Sequence, residues 1–251
     1  MTLKQQLASG DPVVGSFLKT PSPILVEILA QSDLDCLCVD AEHAPFDRND
    51  IDACAMAARA GGLPLLVRPQ SSAAEQILNA LDCGAAGVLL PHIRSAAEAA
   101  RAARHGHYGA GGRGYAGSSR AAGYGSNMMA DILASAADNS VMIAQIEDSE
   151  ALDEIDAIAA TEGLDALFIG MMDLTVALDC ASYRDDRVQD AVALILSAAV
   201  KAKKPVGLFT PSLDDIPAYR KQGASLFLLG SDHSFMLSGA RDMTSKLRNA
   251  F

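Results

Sequence analysis

Eight short runs along the chain are nearly continuous in Val, Leu, Ile and Phe, beginning near Val13, Cys36, Pro64, Gly87, Val141, Ala166, Pro205 and Ser225. A strand with one wet face alternates apolar and polar residues. Runs lacking that alternation fit parallel strands covered on their outer side by helices. The segments between them carry helix starts. Ser22 precedes Pro23, an N-cap before a proline at the first helical position. Ser72 with Glu75 and Ser95 with Glu98 have capping-box spacing, and Asp47 with Asp50 and Ser212 with Asp215 are acidic versions of it. Gly61-Gly62, Gly84, Gly163 and Gly223 each stand just before the next run, where a helix C-cap favours glycine. Eight such alternations in 251 residues predict an α/β fold, a closed (β/α)8 TIM barrel, with residues 1–251 forming one domain.

The segment from Gly106 to Gly125 interrupts this rhythm with glycine, tyrosine and arginine. Lying between the fourth and fifth strands, it is expected to hang over the active face as a mobile or subunit-contacting loop bearing Arg113 and Arg120. Gly109-Ala110-Gly111-Gly112-Arg113-Gly114 fits the dinucleotide glycine pattern, but no strand leads into it, so a Rossmann reading is disfavoured.

In a barrel all strand carboxyl ends open onto one face, where active sites sit. Glu42-His43, Arg68, Glu147 and Asp173 fall at four such ends. Residues over a hundred apart in sequence thereby converge. Glu147 and Asp173 end neighbouring strands and would repel each other unless a cation lies between them, with Mg²⁺ or Mn²⁺ the natural occupant of an all-oxygen site. Either acid could instead cap the following helix. Arg68 suits an oxyanion or a structural salt bridge, and His43 a general base or an ordinary loop position. His92 also follows a strand and ranks below these. Met171-Met172 shapes or packs a pocket wall, and Lys19 is the one lysine expected near the mouth.

Composition narrows the partners. The formal net charge is −11 and the sequence pI is near 4.8, which leaves no basic stripe for nucleic acid. The Met1–Gln6 start lacks an apolar signal core, and no apolar stretch is long enough for a membrane span. Five cysteines without a Cys-x-x-Cys pair read as small core residues of a reducing, cytoplasmic setting.

Taken in order, Val39-Asp40-Ala41-Glu42-His43-Ala44-Pro45, Leu66-Val67-Arg68-Pro69, Gln145-Ile146-Glu147 and Phe168-Ile169-Gly170-Met171-Met172-Asp173-Leu174 resemble the HpcH/HpaI family of class II pyruvate aldolases. Gly112-Arg113-Gly114 resembles the family's Arg-Gly element, and the likeness runs from Gly15 to Asp232. The resemblance implies reversible cleavage of a 4-hydroxy-2-oxo acid to pyruvate, or a close 2-oxo acid, and an aldehyde. It implies a divalent metal (Mg²⁺, Mn²⁺ or Co²⁺) on Glu147 and Asp173, Arg68 on the oxo group, and His43 as base. Asp82 matches an acid that orients this histidine from a neighbouring subunit. Gln145 and the Gly170, Met171, Met172 and Asp173 backbone match the substrate-binding segment. A homo-oligomer is implied, commonly a hexamer as a trimer of dimers, whose last helix is exchanged between subunits. The chain departs from the usual Gly-Pro-Ala-Asp-Leu-Ser with Gly170-Met171-Met172-Asp173-Leu174-Thr175, which bears on substrate preference. Two other readings compete: a lyase or isomerase of a phosphorylated or CoA-linked acid, needing a basic pocket from Arg113 and Arg120, and a non-catalytic oxo-acid-binding oligomer.

Overall fold

The computed structural model describes residues 1–251. Eight strands form the barrel: β1 (Val13–Leu18), β2 (Cys36–Asp40), β3 (Leu65–Arg68), β4 (Gly87–Leu90), β5 (Val141–Ile146), β6 (Ala166–Ile169), β7 (Val206–Phe209) and β8 (Ala224–Ser231). Each pairs in parallel with the next, and β8 closes on β1. The predicted strand starts hold to within one residue.

The caps are realised unevenly. Asp47 and Asp50 form a complete box at the helix Arg48–Gly61, which ends on Gly62 at φ 69°. Ser95 accepts the Glu98 N–H, but the Glu98 carboxylate turns to the Arg94 N–H instead. Ser72 caps nothing. Its hydroxyl donates to the Pro91 carbonyl at 2.7 Å, tying the exit of β3 to the exit of β4, while the helix Ala74–Asp82 starts after Ala73.

Alternation along each strand sorts the core into two layers. Leu37, Val39, Leu65 and Val67 point outward against the helices. Cys36, Cys38, Leu66, Leu89, Ile143, Phe168 and Leu228 fill the barrel, and Leu3 and Leu7 of the helix Leu3–Ser9 close its amino-terminal end. Fully burying each large aliphatic side chain contributes roughly 1.5–3 kcal/mol. The same two-residue step carries inward-facing positions on into the mouth: Phe17 to Lys19, Cys38 to Asp40, Leu66 to Arg68, Ile143 to Gln145 and Phe168 to Gly170.

The expectation for one segment changes. The glycine-rich segment does not overhang the mouth, because it follows the helix Ala96–Gly106 and leads through the helix Met129–Asn139 into the start of β5. It is also pinned: buried Arg113 pairs with Asp82 and lies 4.9 Å over the Tyr108 ring, and Arg120 pairs with Asp52 at 2.7 Å. The last helix, Asp232–Arg248, leaves its own barrel bare, with Phe235, Met236, Leu237, Met243 and Leu247 all exposed.

Candidate active site

The carboxyl-terminal mouth holds a cavity of about 360 Å³. Its lining includes Phe17, Lys19, His43, Arg68, Gln145, Gly170, Met171, Met172 and Asp173. Of the residues singled out from sequence, Glu42, Asp82, His92, Arg113, Arg120 and Glu147 fall outside that lining. Glu147 is buried directly beneath Gly170, and Asp82 ends the helix Ala74–Asp82 in its pair with Arg113. Asp82 therefore does not reach His43 within one protomer.

The centre of the mouth is a residue that reading strand ends passed over. Asp40 is fully buried, and its Oδ1 accepts from Arg68 Nε at 3.1 Å and from the His43 N–H at 3.1 Å. Arg68 Nη2 lies 2.8 Å from that oxygen and Lys19 Nζ 3.1 Å from the other. Burial alone would raise the Asp40 pKa; the Arg68 guanidinium, with the His43 N–H and Lys19, outweighs it and holds the carboxyl below its ordinary value. Asp40 sits inside an apolar run, and the signal that reveals it is its step of two from Cys36 and Cys38.

Arg68 is gripped on both sides. Its Nε also lies 3.3 Å from Glu42 Oε2, and its guanidinium carbon is 4.9 Å from the Phe17 ring centre. Nη1 makes no hydrogen bond within the chain, so one edge of the fork faces the cavity. The His43 ring is half exposed, with Nε2 3.6 Å from Glu42 Oε2.

A second acidic group adjoins this one. Glu147 takes the Gln145 side-chain N–H on Oε2 and the His92 backbone N–H on Oε1 at 2.8 Å. Burial pushes its pKa up to about 7, over the opposing pull of that N–H. Glu42 is raised for the same reason, burial outweighing Arg68, His43 and His92. Donor atoms of Glu42, His92 and Glu147 all lie within 4.8 Å of one another. Glu42 Oε2 is buried without a hydrogen bond. A buried carboxylate oxygen without a hydrogen bond, beside a second buried acid and an imidazole, suits a divalent ion. Asp173 is exposed in the first turn of the helix Met171–Ala177, in the same cavity but outside that three-residue group.

Gly170 lets the chain pass over Glu147. A Cβ there would stand 2.6 Å from Glu147 Cβ and 2.8 Å from Oε2. Arg113 and Arg120, engaged by Asp82 and Asp52, leave the phosphorylated or CoA-linked reading without its basic pocket.

A barrel whose mouth gathers a buried arginine, paired acids and a histidine has the equipment of a lyase acting on small oxo-acids. The comparisons agree that this is a carbon–carbon lyase. The chain belongs to the HpcH/HpaI aldolase/citrate lyase family, whose model matches residues 14–238. It is 37% identical to a hydroxypyruvate/pyruvate aldolase of Paraburkholderia phytofirmans, over 98% of this chain and 97% of that protein. It is 33% identical to a 5-keto-4-deoxy-D-glucarate aldolase of Klebsiella pneumoniae, over 99% and 95%. A solved HpcH/HpaI aldolase/citrate lyase family protein from Burkholderia cenocepacia superimposes with a TM-score of 0.92 at 34% identity, covering 98% of both chains.

Proposed function

We propose that this chain is a metal-dependent class II aldolase that reversibly cleaves 4-hydroxy-2-oxo acids into pyruvate, or a close 2-oxo acid, and an aldehyde. The observation that carries the reading is the buried Arg68–Asp40 pair, which aims a free guanidinium edge into a cavity lined by Asp173 and by Gly170, with Glu147 directly beneath that glycine. A divalent cation (Mg²⁺, Mn²⁺ or Co²⁺), held by Glu147 and Asp173, supplies Lewis-acid polarisation of the 2-oxo group when bound. Arg68 donates to the oxygen on which negative charge grows as the C3–C4 bond breaks. His43 takes the proton of the C4 hydroxyl, and the electron pair of the broken bond passes into the enolate. Gln145 and the backbone N–H groups of Met171, Met172 and Asp173, unpaired at the start of a helix, hold the substrate carboxylate. In the reverse direction the enolate carbon attacks the aldehyde and His43 returns the proton.

The bare Asp232–Arg248 helix supports a homo-oligomer in which it packs on a neighbour, as in a hexamer built as a trimer of dimers. That assembly would bring Asp82 of one subunit to the His43 of another. All five cysteines are free thiols, in keeping with a reducing cytoplasm. No helix is long and apolar enough to cross a membrane.

Exchange of the pyruvate methyl protons in D2O, followed by NMR, tests the proposal without knowledge of the aldehyde. Exchange is expected with Mg²⁺, Mn²⁺ or Co²⁺ and should stop on chelation. Tight pyruvate binding without exchange would instead make the chain a binding protein.

A further inference from the structure

We propose that His92 supplies a nitrogen ligand to the divalent ion of this mouth, so that the ion is held by mixed oxygen and nitrogen donors rather than by carboxylates alone. The inference rests on the aldolase reading for the presence of an ion, and on the geometry around His92 for the ligand.

Two donors each about 2.1 Å from one ion stand about 3.0 Å apart at a right angle and about 3.4 Å apart at a tetrahedral angle. His92 Nε2 lies 3.3 Å from Glu42 Oε1. The other ring nitrogen is placed as that of a ligand histidine is. Nδ1 is 2.9 Å from Asp148 Oδ2, an oxygen that Arg94 Nε also holds at 3.2 Å. Metal-bound histidines commonly donate their second N–H to a carboxylate, which fixes the tautomer and turns the remaining lone pair toward the ion. Here that lone pair is on Nε2, facing Glu42.

Two further observations point the same way. The Glu42 side chain is only 8% exposed, and its Oε2 accepts no hydrogen bond. His92 has φ 54°, a left-handed conformation uncommon outside glycine. That turn delivers both its N–H to Glu147 and its ring to the acids. Packing does not account for it, since the ring is 45% exposed.

An imidazole donor suits Mn²⁺ or Co²⁺ better than Mg²⁺, which prefers oxygen. Pulsed electron paramagnetic resonance of the full chain, stripped by chelator and loaded with Mn²⁺, reads the ligand directly. Nitrogen coupling is expected in the parent protein and in His43→Asn, and should vanish in His92→Asn. Asparagine tolerates the left-handed backbone, so this variant should keep the fold, checked by its melting curve. Calorimetric titration should show the Mn²⁺ over Mg²⁺ preference of His92→Asn reduced about tenfold or more. Bound Mn²⁺ without nitrogen coupling in the parent, or coupling that survives in His92→Asn, overturns the role of His92 alone. No Mn²⁺ binding at all overturns the metal reading, and this inference with it.

Discussion

Replacing Arg68 with methionine removes a charge while nearly conserving volume, and it separates what the guanidinium does for the fold from what it does for chemistry. The side chain is 8% exposed and neutralises Asp40, which is fully buried, together with Glu42. Breaking a buried pair by removing one partner typically costs about 3–5 kcal/mol. Lys19 remains 3.1 Å from Asp40 and compensates in part, which places the expected loss near the lower end, about 3 kcal/mol. The pH dependence follows from the sign of the shift. In the parent the Asp40 pKa is depressed, so its contribution is present above the ordinary carboxylate value and is lost as pH falls through the folded value. Without Arg68, burial dominates and the folded pKa moves above the ordinary value. Its contribution is then present at low pH and is lost as pH rises through that new value. The gap between parent and variant should therefore be wider at pH 8 than at pH 5. Urea denaturation at fixed protein concentration measures it, and turnover should fall by about a hundredfold or more. A loss under 1 kcal/mol that is equal at both pH values would show that the Asp40–Arg68 pair is not the strong buried contact derived above.

Three further outcomes are expected. Glu147, with its pKa near 7, favours its protonated form in the folded chain, so stability without metal declines as pH rises through 7, and added Mn²⁺ should raise the melting temperature more at pH 8 than at pH 6; an equal rise at both values would count against Glu147 as a ligand. Gly170→Ala puts a methyl group against Glu147 and should lower metal affinity at least about tenfold by calorimetry while the barrel still folds; unchanged affinity would mean the loop yields freely. Leu237→Asp with Leu247→Asp charges two exposed positions of the last helix and should shift the protein to smaller species in size-exclusion chromatography, whereas an unchanged elution volume would mean the helix buries no partner surface.

The barrel was legible because parallel strands sheathed by helices leave unbroken apolar runs, and strand ends name the mouth. Arg68, Glu147 and His43 were found that way. Asp40 was not, since a single acid between Val39 and Ala41 reads as the tail of a strand until the two-residue step is followed inward. The glycine-rich segment was placed on the wrong side because strand order alone does not tell whether a loop precedes or follows its helix. Here the helix Ala96–Gly106 comes first and carries the chain away from the mouth. Ser72 shows the limit of cap spacing: a hydroxyl that fits a helix start found a stronger local partner in the Pro91 carbonyl. His92 ranked low because nothing in sequence announces a left-handed turn at a histidine.

The final helix is anchored at its root and free along its shaft. Asp232, its first residue, is buried and accepts the Lys19 N–H at 2.7 Å and the Thr20 N–H at 3.1 Å, while the turns beyond it stand clear of the barrel. Whatever grips the shaft therefore pulls on the same stretch of backbone that sets the ammonium of Lys19 against Asp40. In an oligomer that grips this shaft, subunit packing and the electrostatics of the pocket would share one lever, so dilution that frees the arm would also loosen Lys19 from Asp40.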